Sequence, residues 1–179
     1  QERGLRSGTL NVPGIVGMGV AARLAMERME QDHAHITELR ALMIEELKKN
    51  GCEFVLNAGD EKECRANPAG NNADMYMRGN TAGITVPQIL NIGFKGIEGS
   101  SLLIELDMKG IICSTGSACA ASSAEPSHVL TAAGIDKELI RGSLRLSFSR
   151  YNTADEVAEA ASVIAKSVER LKKLNGYEL

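Results

Sequence analysis

The residues with the clearest chemical potential are two cysteines beside a run of small residues. Cys113 follows an apolar pair, whereas Cys119 lies in the stretch 114–123, which contains only Gly, Ser, Thr, Ala and Cys. Small side chains leave a loop backbone conformationally free and a sulfur accessible, which suits a nucleophilic thiol that must move between reaction partners. A packed, inert thiol is the commoner fate of a free cysteine. The composition of this stretch alone therefore leaves both alternatives open.

Two further residues could bind anions. Arg145 alternates with apolar residues in 143–149, so its guanidinium lies on the polar face of a predicted strand and could hold a carboxylate through two parallel hydrogen bonds. A solvated surface arginine is the alternative. Thr9 precedes a helix predicted to begin at Pro13. Its hydroxyl, free backbone N–H groups and the positive helix end together could bind a phosphate.

Other candidate motifs are weaker. The segment 17–22 matches the G-x-G-x-x-A dinucleotide fingerprint, but that motif requires a preceding strand, so close helix packing at Gly17 and Gly19 is the better interpretation. His33 and His35 point to different faces of a helix, and His128 has no companion ligands at a metal-binding spacing. We therefore predict no metal site.

The composition is that of a globular chain. Of its 179 residues, 44% are hydrophobic and 24% charged, the net charge is −3, and Trp is absent. No apolar run reaches the roughly 20 residues that cross a bilayer, and there is no basic field for nucleic acid. Four cysteines without paired spacing argue against zinc and disulfides, and indicate the reducing cytoplasm. Because the chain begins with Gln1 inside a motif-like segment, we expect a piece of a longer protein.

Hydrophobic periodicity predicts the elements that position these residues. A long helix runs from Pro13 to Gly51, with a bend or domain boundary near the polar run 31–35. Strands are predicted at 52–56, 89–94 and 143–149, and helices at 98–108, 126–133 and after a capping box that begins at Thr153. The long polar connection 57–87 is typical of a functional or mobile loop. These elements predict an α/β (α+β) fold, a small antiparallel-to-mixed sheet covered by helices and reached through a long N-terminal helix.

Four ordered segments resemble motifs of the cysteine desulfurases, pyridoxal 5'-phosphate (PLP) enzymes of fold type I in the class V aminotransferase family. ERGLRSGT at 2–9 resembles E-R-G-x-R-S-G-T, and STGSAC at 114–119 resembles the active loop S-[ST]-G-S-A-C. EPSHVL at 125–130 resembles E-P-S-x-V-L, and SLRLS at 143–147 resembles S-[IL]-R-x-S. The order and spacing of the motifs agree across essentially the whole chain.

The resemblance implies a role for each candidate residue. Cys119 would attack the sulfur of PLP-bound L-cysteine, leaving L-alanine and a Cys119 persulfide, whereas Cys113 would be a packed strand end. Arg145 would hold the substrate α-carboxylate. Thr9 would donate to the phosphate of the partner subunit's PLP, which implies a homodimer. The sulfur would pass to an acceptor or iron–sulfur scaffold protein, with nucleic acid involved only through tRNA thiolation partners and no membrane.

Departures from the family pattern limit what this chain alone is expected to do. The family's Schiff-base Lys lies upstream of these motifs, and no Lys here has a matching context. We therefore expect residues 1–30 to be the end of the PLP-binding large domain, residues 31–179 to be the C-terminal small domain, and the isolated chain to be inactive. Two alternatives remain open: another class V PLP aminotransferase or lyase, and a non-enzymatic persulfide carrier.

Overall fold

The computed structural model describes residues 2–57, 86–116 and 126–177. The chain divides into two compact units, Gln1–His35 and Ile36–Leu179, and a single long helix contributes residues to both. The predicted loops 57–87 and 114–123 lie mostly outside the described residues. The elements, in chain order, are a 3-10 turn Glu2–Gly4, α1 (Val12–Lys49), β1 (Val55–Leu56), β2 (Ile89–Gly93), α2 (Gly99–Asp107), α3 (His128–Ala132), α4 (Lys137–Arg141), β3 (Ser143–Ser147) and α5 (Ala154–Leu174).

The three described strands form one antiparallel sheet in the order β1-β2-β3. Strand β2 is central, and its register with β3 places Asn91 opposite Arg145 and Gly93 opposite Ser143. On the other side of β2, Val55 of β1 lies opposite Gly93. The small helix-covered sheet predicted from the alternating pattern is confirmed, and every described pairing is antiparallel.

The hydrophobic core lies in the second unit, between one face of the sheet and the helices. Alternation in β3 buries Leu144 and Leu146, and the stripe of α5 buries Ala161 and Ile164, as the pattern predicts. Helix α2 contacts both α5 and β3. The other buried members of this core are Ile36, Leu39, Met43, Ile44, Leu47, Leu90, Ile92, Phe94, Ile97, Leu102, Leu106, Phe148, Val157 and Val168.

Local capping signals define the helix ends. The predicted capping box at the start of α5 is present: the Glu156 N–H donates to Thr153 Oγ1 at 3.2 Å, and the Thr153 N–H donates to Glu156 Oε2 at 2.9 Å. Gly51 follows the end of α1, and its φ of 70° lets the Cys52 N–H reach back to Leu47 O in a Schellman motif. The same pair of backbone bonds closes α2, α3 and α5 at Gly110, Gly134 and Gly176.

Three local features complete the comparison with the sequence. Helix α1 continues through 31–35 without a break, because that segment contains neither Pro nor Gly to interrupt it. The predicted bend is therefore wrong, whereas the two compact units do divide at this point, between His35 and Ile36. The short helix α4 was not predicted; Asp136 caps it by accepting from the Glu138 N–H at 2.9 Å. Ser143, on the predicted polar face of the strand 143–149, is only 1% exposed, and its hydroxyl accepts from Asn57 and donates to Leu139 O.

The glycines of the 17–22 motif also differ from their interpretation. A Cβ placed on Gly17 or Gly19 would meet nothing within 4 Å. Close packing against another helix is therefore not found among the described residues, although both glycines lie within α1, as expected. Since no described strand precedes α1, the dinucleotide interpretation gains no support.

Candidate active site

Arg145 lies in the middle of β3, and both of its backbone polar groups bond to Ser114 on the side away from β2. Its N–H donates to Ser114 O at 2.6 Å, and the Ser114 N–H donates to Arg145 O at 3.1 Å. The side chain is half-buried, and its guanidinium forms no hydrogen bond or ion pair with the residues that the structure describes. A half-buried, uncommitted guanidinium on a rigid strand is a suitable receptor for a carboxylate.

The Ser114 bridge joins the start of the cysteine-containing loop to that arginine. Ser114 Oγ donates to Gly116 O at 2.9 Å, so a turn begins directly after the bridge. Ser114 lies five positions before Cys119 in the sequence. Cys119 itself lies outside the described residues, and its predicted role as the nucleophile stays a prediction.

A buried polar cluster beside Arg145 was not predicted. Asn57 is 4% exposed, and its Nδ2 donates to Asn91 Oδ1 at 2.7 Å and to Ser143 Oγ at 2.8 Å. Ser143 Oγ in turn donates to Leu139 O at 2.7 Å. The signal available in the sequence was Asn91 inside the predicted strand 89–94, a position at which Asn is unfavourable.

The two described cysteines are poor nucleophiles. Burial raises the pKa of Cys113 to about 11, with a further increase from the negative charge of Asp107. Burial likewise raises the pKa of Cys52 to about 11, opposed by the nearby positive charge of Lys172. Both are free thiols packed against the core, so the structure gives neither the thiolate character that attack on sulfur requires.

Thr9 lies in an exposed loop before α1. The Arg6 guanidinium organises this loop by donating to Gly8 O at 2.8 Å and to Thr9 O at 3.1 Å. The expectation of free N–H groups at the helix start is wrong. The Val12 N–H donates to Leu10 O, those of Gly14 and Ile15 donate to Asn11, and Pro13 has none. Any phosphate bound here would therefore depend on the loop around Thr9 and not on the first turn of α1.

The described residues do not fit a complete PLP site. PLP enzymes need a lysine that can form a Schiff base, but Lys172, the buried lysine of the described chain, donates to Glu53 Oε2 at 3.0 Å. Lys109 is similarly bound to Glu105 and Ser167. With the first-turn N–H groups of α1 also occupied, the described residues lack both the lysine and the helix-end donors that a complete PLP site requires.

Two other kinds of feature are absent from the part of the chain that the structure describes. No group of three or more His, Cys, Asp or Glu side chains within 2–57, 86–116 and 126–177 could hold a metal ion. Among the same residues, no helix combines the length and the apolar character that crossing a bilayer requires.

Comparisons with known proteins agree along nearly the whole chain. Residues 72–159 match the family model described as aminotransferase class-V. The cysteine desulfurase IscS of Methanosarcina thermophila is 41% identical over 175 residues, which are 98% of this chain and 38% of that protein. A cysteine desulfurase of Nostoc sp. is 38% identical over 99% of this chain and 39% of its own length.

Solved structures give the same result. A NifS-like protein has a TM-score of 0.62 and 29% identity, covering 99% of this chain and 37% of its own. The NifS-like protein from Rickettsia africae has a TM-score of 0.63 and 25% identity, covering 97% of this chain and 38% of its own. This chain spans less than two thirds of the length of each of these relatives. The predicted resemblance is confirmed: over nearly its whole length this chain matches one part of the cysteine desulfurases of the class V aminotransferase family.

Proposed function

We propose that the longer protein to which this segment belongs is a PLP-dependent cysteine desulfurase. The observation that carries the proposal is the antiparallel bridge between Ser114 and Arg145. It fixes the predicted carboxylate receptor and the root of the predicted nucleophile loop to each other through two hydrogen bonds. A substrate held by Arg145 would therefore lie near the beginning of the segment that contains Cys119.

The proposed reaction balances without an external oxidant. The Cys119 thiolate attacks Sγ of L-cysteine, an S–S bond forms, and the Cβ–Sγ bond of the substrate breaks. The electron pair of the broken bond stays on the substrate carbon, which takes up a proton equivalent to the one lost from the Cys119 thiol, so L-cysteine and the Cys119 thiol become L-alanine and a Cys119 persulfide. PLP, if bound by the complete protein, would supply the electron sink on which cleavage of this bond depends. Arg145 binds and orients the α-carboxylate throughout.

The proposal also covers the oligomeric state, the sulfur acceptor and the cellular compartment. We infer a homodimer, in which Thr9 contacts the phosphate of the partner subunit's PLP, and delivery of the persulfide sulfur to an acceptor or iron–sulfur scaffold protein. The free thiols of Cys52 and Cys113 support a reducing location such as the cytoplasm.

The test is a pair of matched cysteine variants in the complete protein. We expect Cys119→Ala to abolish alanine formation from L-cysteine, because the attacking sulfur is lost. Cys113→Ala is the control, since that thiol is packed against the core; it should retain most of the activity. Sulfur transfer that survives in Cys119→Ala would favour another class V aminotransferase or lyase.

The carrier alternative is tested with the segment alone. We expect residues 1–179 to release no alanine from L-cysteine with added PLP, whereas a persulfide carrier would accept sulfur from a separate donor. Loading of Cys119 with persulfide, measured by mass spectrometry, together with a complete protein that makes no alanine, would favour the carrier.

A further inference from the structure

A chain of hydrogen bonds fixes the orientation of the Asn91 side chain. The single hydroxyl proton of Ser143 goes to Leu139 O, so Ser143 Oγ has only lone pairs to offer Asn57. The atom of Asn57 that faces Ser143 is therefore the amide nitrogen, which also donates to Asn91 Oδ1. Asn91 must then turn its oxygen toward Asn57 and its Nδ2 away from it.

Packing keeps this chain of bonds in place. A Cβ on Gly93 would lie 3.0 Å from Asn57 Oδ1 and 3.2 Å from Leu139 side-chain atoms, so Asn57 covers the bare backbone of β2. Asn57 Oδ1 is buried without a hydrogen-bond partner among the described residues. An unsatisfied buried acceptor is destabilising. The Asn57 amide keeps this orientation because its Nδ2 donates two hydrogen bonds, to Asn91 and to Ser143.

The strand geometry places Asn91 against Arg145. Both backbone polar groups of Arg145 bond to Ser114 on one side of β3, so its pairing with Asn91 on the other side lacks hydrogen bonds. In an antiparallel sheet, the side chains of such a pair share a face and lie closest together, with Cβ atoms about 4.5–5.5 Å apart. Asn91 Nδ2 donates to no described residue.

We propose that Asn91 is a second donor to the carboxylate that Arg145 binds, with Asn57 and Ser143 as positioning residues for it. This inference rests on the proposed function, because the carboxylate is that of the amino-acid substrate. Arg145 supplies the charge and two parallel donors, and the Nδ2 of Asn91, turned away from Asn57, supplies a neutral N–H beside them. A further donor of fixed direction restricts the orientation of the bound carboxylate more than the guanidinium does alone.

The test substitutes Asn91 in the complete protein. Asn91→Asp keeps the shape but places a negative charge beside Arg145, and Asn91→Leu removes the donor without adding charge. For both, we expect KM for L-cysteine to rise about tenfold or more, as for loss of a hydrogen bond to a charged group. We expect kcat to change less than about threefold, because the lost contact binds substrate and transition state alike.

The matched control is Asn175→Asp. Asn175 Nδ2 also donates one hydrogen bond, to Gly96 O at 2.9 Å, and its residue is exposed. The same chemical change there should leave KM within about twofold of the wild-type value. A loss of stability alone would lower the melting temperature of both Asp variants without a selective rise in KM.

A binding readout separates the inference from the proposed function. L-alanine should raise the melting temperature of the complete wild-type protein, and L-alaninamide, which lacks the carboxylate, should not. The L-alanine effect should be lost in Asn91→Asp and Asn91→Leu and kept in Asn175→Asp. This pattern in a protein that forms no alanine from L-cysteine would refute the desulfurase function and leave the carboxylate-binding role of Asn91 in place.

The opposite outcomes overturn the inference. A wild-type protein that desulfurates L-cysteine, with folded Asn91 variants whose KM and L-alanine response are unchanged, would refute the role of Asn91 and retain the proposed function. Absence of both turnover and an L-alanine response in the wild-type protein would refute the two proposals together.

Discussion

The two halves of helix α1 have the same apolar periodicity and opposite environments. In the first half, Met26 is 76% exposed, and Ile15, Met18 and Met29 are exposed as well. In the second half, Met43 is 3% exposed, and Leu39 and Leu47 are buried with it. Helical periodicity thus identifies the side chains that share a face, but whether that face is covered depends on residues far away in sequence. The second unit contains its own core, and the first is a helix segment with an exposed apolar stripe.

The strongest test of this contrast uses one residue type at two positions of one helix. Met43→Ala should lower the free energy of unfolding of the chain by about 2–5 kcal/mol, because it leaves a cavity in the core. Met26→Ala, its matched control, should change it by less than about 0.5 kcal/mol, as at an exposed position. Urea unfolding followed by circular dichroism measures both. Equal losses would show that the first half of α1 is covered in the isolated chain.

A second test uses the sulfurs that the core shields. Because the pKa of Cys52 and of Cys113 is raised from 9.0 to about 11, we expect each to react with iodoacetamide at pH 8 roughly a hundredfold more slowly than in the unfolded chain. The rates should continue to rise up to about pH 11. Peptide mapping of briefly labelled protein measures them, and we expect Cys119 to be labelled first. Labelling of Cys113 ahead of Cys119 would contradict the assignment of the nucleophile.

The same shifts determine a pH dependence of stability. The unfolded thiols lose their protons near pH 9, whereas the folded ones retain them to about pH 11. The folded state therefore binds more protons in this window, and the free energy of unfolding should decrease from pH 9 to 11. The decrease should be smaller in Cys52→Ala, which carries one shifted thiol fewer.

Helix caps offer another comparison between the two units. Thr153→Ala removes the acceptor for the Glu156 N–H at the start of α5 and should reduce the stability of the core by about 1 kcal/mol. Asn11→Ala removes the acceptor for the Gly14 N–H at the start of α1. It should lower the helical content without moving the main unfolding transition, because the residues around it contribute nothing to the core. A shift of that transition by Asn11→Ala would show that the two units unfold together.

The smallest expected effect distinguishes an open helix face from a covered one. Gly17→Ala adds a Cβ where nothing lies within 4 Å and should stabilise α1 by about 0.5–1 kcal/mol in the isolated chain, through helix propensity. In the complete protein, the same change should be destabilising if another helix packs closely on this face. Thermal unfolding of both forms measures the sign, and stabilisation in both would refute close packing at Gly17.

Signals contained within a few residues were sufficient to predict much of the fold. Pro13 marks the first turn of α1 and Gly51 follows its end, the box at Thr153 starts α5, and the alternation in 143–149 identifies β3. Each pattern reports an interaction within one or two turns. The burial of Ser143 could not be predicted in this way. It depends on Asn57, which is 86 positions distant in sequence and donates to the Ser143 hydroxyl.

In the candidate site, too, local patterns were predictable and contacts between residues distant in sequence were not. Arg145 could be placed on a strand from its neighbours alone, whereas the bridge to Ser114 and the pairing with Asn91 are tertiary contacts without a local pattern. The occupied N–H groups before Thr9 also required the structure, because a capping Asn11 and a helix start with free donors look alike in sequence.

The bridge between Ser114 and Arg145 also affects how the sheet resists aggregation. An exposed strand edge can recruit a strand from another molecule through its unpaired backbone groups. In β3, the groups that face away from β2 belong to Ser143, Arg145 and Ser147, and those of Arg145 in the middle are bonded to Ser114. A foreign strand would have to break this bridge before it could pair in register, so changes that loosen residue 114 would favour association as well as disturb Arg145.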